Sequence, residues 1–206
     1  MCTKFLSVRR CSSSAAADAL LRGLDRLPCF AVPPAAVRVL HDPADWHAAL
    51  LDGARRARKR ACLASLYFGS GPMEVELCEA LLTGQASAPS RKLDLLIDRH
   101  RAQRNDGLRL ATDLLGRAPE ARVALLASPI TATTTTTTSL LHRLLLPHAL
   151  HHLLSEVTGV QHAKLAIFDD DLLLTGANTS HDYFTTRQDR YLHITSVPHF
   201  ADYCSE

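Results

Sequence analysis

Short apolar runs alternate with amphipathic segments through the first part of the chain, and this alternation is the strongest constraint on its fold. Pro43-Ala44-Asp45 opens an amphipathic helix that ends in the basic cluster Arg55–Arg60, where cations suit the negative end of the helix dipole. The other predicted elements are strands at Val37–Leu40, Ala61–Phe68, Lys92–Ile97 and Arg122–Ala127, and helices at Met73–Leu82 and around Gly107–Leu115. Strands that alternate with helices predict an α/β sheet with several parallel neighbours.

The composition fits one sizeable globular domain or part of a larger enzyme. The chain has 206 residues, of which 47% are hydrophobic and 21% charged, and its formal net charge is +2. That charge argues neither for nor against a nucleic-acid partner. No run approaches 18 apolar residues, so a transmembrane helix is not expected. The six cysteines are scattered without a CxxC pair, which favours a reducing compartment or simple burial over disulfides or structural zinc.

Two segments differ from the rest in composition. Residues 1–28 begin with basic and serine-rich sequence and contain no acid before Asp18, which is typical of a mitochondrial or plastid transit peptide and equally of a disordered basic N-terminus. Residues 131–139 are rich in threonine and predict a surface insertion. The histidines of Leu140–Leu154 lack acidic partners and a defined motif, so we expect them to be loop or helix residues, with no metal bound.

The motif most informative about chemistry lies near residue 162. Val160–Phe168 and Leu172–Leu174 are apolar runs joined by Asp169-Asp170-Asp171, which predicts a β-hairpin. Side chains alternate along a strand, so His162 and Lys164 would point to the same side. An imidazole that can attack phosphorus, next to an ammonium that can hold a phosphate oxygen, is a minimal phosphoryl-transfer site.

Further candidate phosphate-binding residues follow two of the predicted strands. Gly176 allows close backbone approach, and the Asn178 amide can donate to a phosphate oxygen. Arg99, Arg101 and Arg104 lie just past the strand Lys92–Ile97, at the edge where open α/β sheets bind ligands.

The pattern His162-x-Lys164-x4-Asp169, followed by Gly176-Ala177-Asn178, resembles the HKD signature of the phospholipase D superfamily. The family pattern ends in Gly-Ser-x-Asn, whereas this chain has Ala177 in place of the serine and its asparagine one residue early. Similar Gly-Ala-Asn variants mark the branch that makes phosphatidylglycerophosphate and phosphatidylserine. The wider resemblance covers about residues 29–195 and includes Phe30–Pro33, Ala61–Gly69 and Asp182–Tyr191.

The resemblance implies a fold, a mechanism and a set of roles. The fold is an α/β domain with a mixed β-sheet flanked by helices, here residues 29–206, which form one HKD half of a pseudo-twofold, two-domain enzyme. His162 would attack phosphorus, while Lys164 and Asn178 hold the non-bridging oxygens, without metal or cofactor. Asp169 belongs to the motif, and the resemblance implies that it is catalytic together with His162 and Lys164. Its odd offset from His162 would point it away on an unbroken strand, which indicates a turn or supporting role at least as strongly.

Asp189 is the acid that the resemblance places beside the nucleophile. In the superfamily such an acid hydrogen-bonds to the catalytic histidine, which would fix the tautomer of His162. The alternative for Asp189 is a plain salt bridge to Arg187 or Arg190.

The implied substrates are CDP-diacylglycerol and glycerol 3-phosphate, with phosphatidylglycerophosphate and CMP as products. The implied location is mitochondrial, peripheral to the inner membrane, with no nucleic acid expected. The chain contains a single His-x-Lys motif, so a second HKD half is required, either in the same polypeptide or from a dimer partner. The alternatives are a dimeric single-motif phosphodiesterase or nuclease, and a non-catalytic lipid- or nucleotide-binding module.

Overall fold

The computed structural model describes residues 27–104, 106–127 and 160–206. The expectations for the basic N-terminal residues, for the threonine-rich segment 131–139 and for Leu140–Leu154 lie outside the described residues. The chain divides into a short unit, Met1–Ala31, and a compact unit, Val32–Glu206. Residues 27–31 have no regular secondary structure, and all the elements below belong to the second unit.

Strands and helices alternate in the described chain as the apolar pattern predicts. The strands are β1 (Val37–Leu40), β2 (Arg60–Ser65), β3 (Lys92–Asp98), β4 (Arg122–Leu126), β5 (Leu165–Phe168), β6 (Asp171–Thr175) and β7 (Tyr191–Ile194). The helices are α1 (Pro43–Arg56), α2 (Pro72–Ser87), α3 (Arg99–Arg104), α4 (Gly107–Arg117), α5 (His181–Thr185) and α6 (Pro198–Ser205), and a 3-10 turn spans Pro34–Ala36. None of these helices is both long and apolar enough to cross a membrane.

All seven strands form one mixed sheet in the order β1-β7-β6-β5-β2-β3-β4. The strands β2, β3 and β4 run parallel, whereas β5 pairs antiparallel with β2, and β6, β7 and β1 continue the antiparallel half. The predicted fold class, a mixed sheet with flanking helices, is confirmed. The sequence did not identify β7 or the helices α5 and α6.

Most of the core lies on one face of the sheet. Alternate residues of β3, such as Leu93 and Ile97, are buried there because successive strand side chains point to opposite faces. Trp46 and Leu50 of α1 cover the same face together with Leu77 of α2. A smaller core on the other face packs strand residues such as Ile167 and Leu172 with Ala201 of α6. The sheet therefore carries apolar packing on both faces, as its near-continuous apolar runs require.

The predicted hairpin is present, with β5 and β6 joined by Asp169 and Asp170. Asp169 has a φ of 55°, a left-handed conformation that aspartate tolerates better than most residues. Regular strand structure begins at Leu165, however, and not at Val160 as the apolar run predicted. His162 and Lys164 therefore lie in the segment that leads into β5.

A buried arginine joins the ends of α1 and α2. The side chain of Arg91 is 2% exposed, and its guanidinium donates to the carbonyl oxygens of Ala54 (2.8 Å) and Ala57 (3.2 Å), to Leu81 O and to Gln85 Oε1 (3.0 Å). These carbonyls lie at or near helix carboxyl ends, where the dipole favours a cation. Burial nevertheless lowers the pKa of Arg91.

We expect Arg91→Met to lower the free energy of unfolding by about 3 kcal/mol, because it leaves several buried carbonyl groups without donors. Urea denaturation measures the loss. The matched control is Arg56→Met, which removes an exposed pair with Asp52 (2.9 Å) and should change stability by less than about 0.5 kcal/mol. Equal effects of the two substitutions would contradict the structural role given to Arg91.

Candidate active site at the carboxyl edge of the sheet

The strand directions bring five chain segments to one edge of the sheet. We call this the carboxyl edge, because the parallel strands β2 and β3 end there. Ala64 near the end of β2 pairs with Leu165 at the start of β5, so the residues before β5 lie at this edge. Leu165 in turn pairs with Leu174, which places the end of β6 there, and Thr175 pairs with Tyr191, which adds the start of β7. The segments around residues 162–164, 176–178 and 189 therefore converge.

His162 and Lys164 both lie at this edge of the sheet. Lys164 remains paired with β6 through a bond from Thr175 N to Lys164 O (3.3 Å), and its Nζ donates to His162 O (2.8 Å). The lysine side chain is 6% exposed, whereas His162 is exposed, and its ring has no hydrogen-bond partner among the described residues. A buried ammonium beside an accessible imidazole suits a clamp next to a nucleophile.

The charge of Lys164 is set by two opposing influences. Burial lowers the pKa of the ammonium, because the charged form loses hydration, and the nearby negative charge of Asp189 opposes that shift. The two influences together leave the pKa of Lys164 below its ordinary value. Asp189 is thus electrostatically coupled to the candidate phosphate clamp.

Asp98, which the sequence did not single out for this role, holds the segment before His162 in place. Its carboxylate is 1% exposed and accepts hydrogen bonds from Gln161 N (3.1 Å) and Arg101 N (3.0 Å). One aspartate at the end of β3 therefore joins the start of α3 to the residue next to the candidate nucleophile. The available sequence signal was local, an aspartate three residues ahead of the amide that it caps.

Gly176, Ala177 and Asn178 form a tightly held loop after β6. Gly176 N donates to Asp189 Oδ1 (3.2 Å), and a Cβ at Gly176 would lie 2.6 Å from that oxygen, so only glycine fits the close approach. Ala177 N donates to Thr175 Oγ1 (2.9 Å). Asn178 is 5% exposed, and its Oδ1 is buried without a hydrogen-bond partner among the described residues. Oδ1 is an acceptor and is suited to receive a donor group of a ligand, whereas a phosphate oxygen would be held by the Nδ2 donor of the same amide.

Asp189 lies at the same edge of the sheet, where its contacts are with backbone groups. Its carboxylate accepts hydrogen bonds from Gly176 N and from Arg190 N (2.6 Å). Among the described residues, the His162 ring donates no hydrogen bond to Asp189, and Asp189 forms no ion pair with Arg187, whose guanidinium stacks over Tyr183. In this structure Asp189 shapes the loop after β6 and balances the charge of Lys164.

Asp169 lies at the opposite edge of the sheet from His162, because it follows the far end of β5. Its carboxylate accepts hydrogen bonds from three consecutive backbone N–H groups, those of Arg58 (2.9 Å), Lys59 (2.6 Å) and Arg60 (3.1 Å). Partial burial raises the pKa of Asp169, but these amide hydrogen bonds outweigh it and hold the pKa below its ordinary value. Asp169 therefore ties the β5–β6 hairpin to the loop between α1 and β2.

The candidate arginines lie on or at the ends of α3, just past β3 at the carboxyl edge. Arg99 is exposed and Arg101 is half-buried, and the side chain of Arg104 is not among the described parts of the chain. All three arginines lie at the edge where the sequence predicts a ligand. Within the described residues, no group of three or more histidine, cysteine or acidic side chains is arranged to hold a metal ion.

Comparison with solved structures defines the class of fold. The phosphatidylserine synthase of Haemophilus influenzae Rd KW20 matches with a TM-score of 0.70 and 24% identity, over 91% of this chain and 39% of that one. The phospholipase D family member Nuc from Salmonella typhimurium matches with a TM-score of 0.50 and 14% identity, over 82% of this chain and 88% of Nuc. The chain thus has the phospholipase D type of fold, as its motif predicted. No protein-family model matches the chain.

Sequence relatives narrow the identification. The chain is 35% identical over 188 residues to the probable CDP-diacylglycerol–glycerol-3-phosphate 3-phosphatidyltransferase of Dictyostelium discoideum. It is 36% identical over 189 residues to the mitochondrial CDP-diacylglycerol–glycerol-3-phosphate 3-phosphatidyltransferase of Homo sapiens. Each alignment covers 87% of this chain but only 30% and 32% of these relatives, so the chain spans about a third of their length. Over that part the chain is similar in sequence to these phosphatidyltransferases, in agreement with the resemblance that its motifs indicate.

The pH dependence of stability tests the role of Asp169. We expect Asp169→Asn to lower the free energy of unfolding at neutral pH, because an amide offers one oxygen where the carboxylate offers two charged ones. The folded-state pKa is lowered, so the stabilisation is present above the ordinary value of 3.8 and is lost as the pH falls through the folded-state value. Urea unfolding over a pH series should show the two proteins converging in acid. A stability difference that does not shrink in acid would contradict this role.

Proposed function

We propose that this chain carries one half of the active site of a phosphatidyltransferase acting on CDP-diacylglycerol and glycerol 3-phosphate. The observation that carries the proposal is that strand directions bring the segment of Asn178 to the same edge of the sheet as His162 and Lys164. The 35–36% identity to phosphatidyltransferases over 87% of the chain supports the substrate assignment.

In the proposed first step, a ring nitrogen of His162 attacks the phosphorus that bears the diacylglycerol group. The bond from phosphorus to the CMP oxygen breaks, and the products are CMP and a phosphatidyl-histidine. In the second step the primary hydroxyl of glycerol 3-phosphate attacks the same phosphorus and the phosphorus–nitrogen bond breaks. Phosphatidylglycerophosphate leaves, and the histidine is regenerated after the hydroxyl proton passes to a base.

Lys164 and Asn178 supply charge stabilisation in both steps. Negative charge builds up on the non-bridging oxygens in the transition state. Preorganised donors stabilise this charge more strongly in a water-poor site than in bulk water. The ammonium of Lys164 is already buried and fixed by its bond to His162 O (2.8 Å). Arg99, Arg101 and Arg104 are proposed to bind the phosphate of the acceptor or the diphosphate of the donor.

A second His-x-Lys motif is proposed to complete the site. That histidine would protonate the leaving CMP and then take the proton of the acceptor hydroxyl. It can come from the same polypeptide or from a second copy of the chain. The match to Nuc covers 88% of the length of that protein, which supports a dimer of this chain as the alternative arrangement. Phosphodiester cleavage is then the second candidate function. Light scattering separates the arrangements: a strict monomer that cleaves no phosphodiester would rule out the dimeric phosphodiesterase.

We also propose a mitochondrial location, peripheral to the inner membrane. The human relative is named as mitochondrial, and the basic, serine-rich N-terminal sequence has the composition of a transit peptide. Residues 1–28 are proposed to be that peptide or a disordered N-terminus, and residues 29–206 the catalytic domain. A CDP-diacylglycerol donor resides in a membrane, so peripheral contact would bring the site to its substrate.

Mass spectrometry tests the nucleophile. Incubation with CDP-diacylglycerol and no acceptor should leave a phosphatidyl adduct on His162, since the second step cannot proceed. Addition of glycerol 3-phosphate should remove the adduct. The variant His162→Asn should carry no adduct, while His181→Asn, a change at an exposed histidine of α5, should retain it. An adduct on another residue, or CMP release by His162→Asn at the wild-type rate, would contradict the proposal.

The pH dependence of CMP release tests Asp189. Lys164 must be protonated to hold phosphate, so activity is lost as the pH rises through its pKa. Asp189→Asn removes the charge that opposes the effect of burial, so the pKa of Lys164 should fall further and the alkaline limb should move to lower pH.

The control for that experiment is Asp182→Asn, an exposed carboxylate on α5. It should leave both limbs of the profile in place. A shift confined to the acid limb in Asp189→Asn would instead favour a direct interaction of Asp189 with the imidazole of His162.

A further inference from the structure

Glu74 is a buried carboxylate that the proposed mechanism does not use. It lies in the first turn of α2, and its side chain is 3% exposed. An anion in the first turn of a helix of this length is favoured by the helix dipole. Burial of a carboxylate is costly unless it is hydrogen-bonded, so its contacts need an explanation.

The carboxylate of Glu74 reaches a different part of the chain. Its Oε1 accepts a hydrogen bond from His181 N (2.5 Å), the first residue of α5. Ser180, the residue before α5, makes no side-chain capping bond, and its Oγ is buried without a partner among the residues that the structure describes. Glu74 therefore supplies from another element the acceptor that a local capping side chain would otherwise provide.

The loop before α2 is shaped around the same carboxylate. A Cβ at Gly69 would lie 2.2 Å from Glu74 Oε1, and one at Gly71 would lie 2.9 Å from Oε2. Both separations are shorter than a van der Waals contact. The two glycines therefore leave the space that the carboxylate fills, and a side chain at Gly69 would displace it.

This loop also pairs with the segment that carries Asn178. Gly69 N donates to Thr179 O (2.8 Å), and Thr179 N donates to Ser65 Oγ (3.2 Å) at the end of β2. Phe68 and Thr179 form an isolated parallel bridge. The backbone on the carboxyl side of Asn178 is thus fixed at Thr179 by the β2 end and at His181 by Glu74.

We propose that Glu74 is a positioning residue for the phosphate-holding loop. Through its bond to His181 and its fit against Gly69 and Gly71, it sets where the Asn178 amide lies relative to His162. The inference rests on the proposed function for the role of Asn178. The local claim, that Glu74 orders residues 178–181, stands on geometry alone.

Hydrogen exchange of the substrate-free protein tests the local claim. In Glu74→Ala, the amides of His181 and Thr179 should lose roughly tenfold or more of their protection, while those of β5 and β6 keep theirs. Glu74→Gln keeps the volume and an acceptor oxygen, so it should retain most of the protection. Should Glu74→Ala fail to fold, Gly69→Ala replaces it, because its methyl group displaces Oε1 and should produce the same local loss. Unchanged protection at both amides, or a loss spread evenly over the sheet, would overturn the proposal.

Kinetics of CMP release connect the loop to catalysis. Displacement of Asn178 should lower kcat roughly tenfold in Glu74→Ala with little change in KM for CDP-diacylglycerol, and Glu74→Gln should restore most of it. The matched control is Glu76→Gln, which should behave as wild type. Glu76 is an exposed residue of α2, the helix of Glu74, and pairs with Arg55 of α1. A uniform rise in KM without a fall in kcat would overturn the positioning role. Absence of transfer by the wild-type chain when it is supplied with its second HKD half would overturn the proposed function alone, since the exchange experiment needs no activity.

Discussion

The antiparallel pairing of β5 against β2 is the constraint on which the site depends. The pairing Ala64↔Leu165 reverses the chain direction in the middle of the sheet, next to the parallel strands β2, β3 and β4. A parallel β5 would have carried His162 to the other edge, away from the loop that contains Asn178. The reversal therefore does more than complete a sheet, because it brings residues before one strand and after another to the same place.

Buried polar groups hold the segments at that edge together. Asp98 accepts from Gln161 and Arg101, Ser65 accepts from Thr179, and Glu74 accepts from His181. Each of these bonds joins segments that are distant in sequence or bridges a strand end to a loop. Such groups are costly to bury alone and specific when paired, so they define one arrangement of the loops where apolar contacts would tolerate several.

The local sequence pattern predicted which helices and strands exist better than it predicted the residues at which they begin and end. The hairpin across Asp169 was evident because an acidic turn separates two apolar runs, and the helix predicted over Met73–Leu82 is present as Pro72–Ser87. The strand predicted from Val160 begins only at Leu165. Of the preceding residues, Gln161 N donates to the Asp98 carboxylate, and Lys164 O accepts a backbone bond from Thr175 N. Asp169 shows the same limit for function, because a motif gives spacing but not strand direction.

By itself the sequence determined the α/β class, the β5–β6 hairpin and the pairing of a histidine with a lysine two residues later. These follow from apolar periodicity and from residue chemistry, which are local properties. Only the tertiary structure decided that Asp169 lies at the far edge, that Asp189 contacts Gly176, and that Glu74 reaches the loop after β6. Those facts depend on strand order and on hydrogen bonds between residues as far as 111 positions apart, which no local pattern encodes.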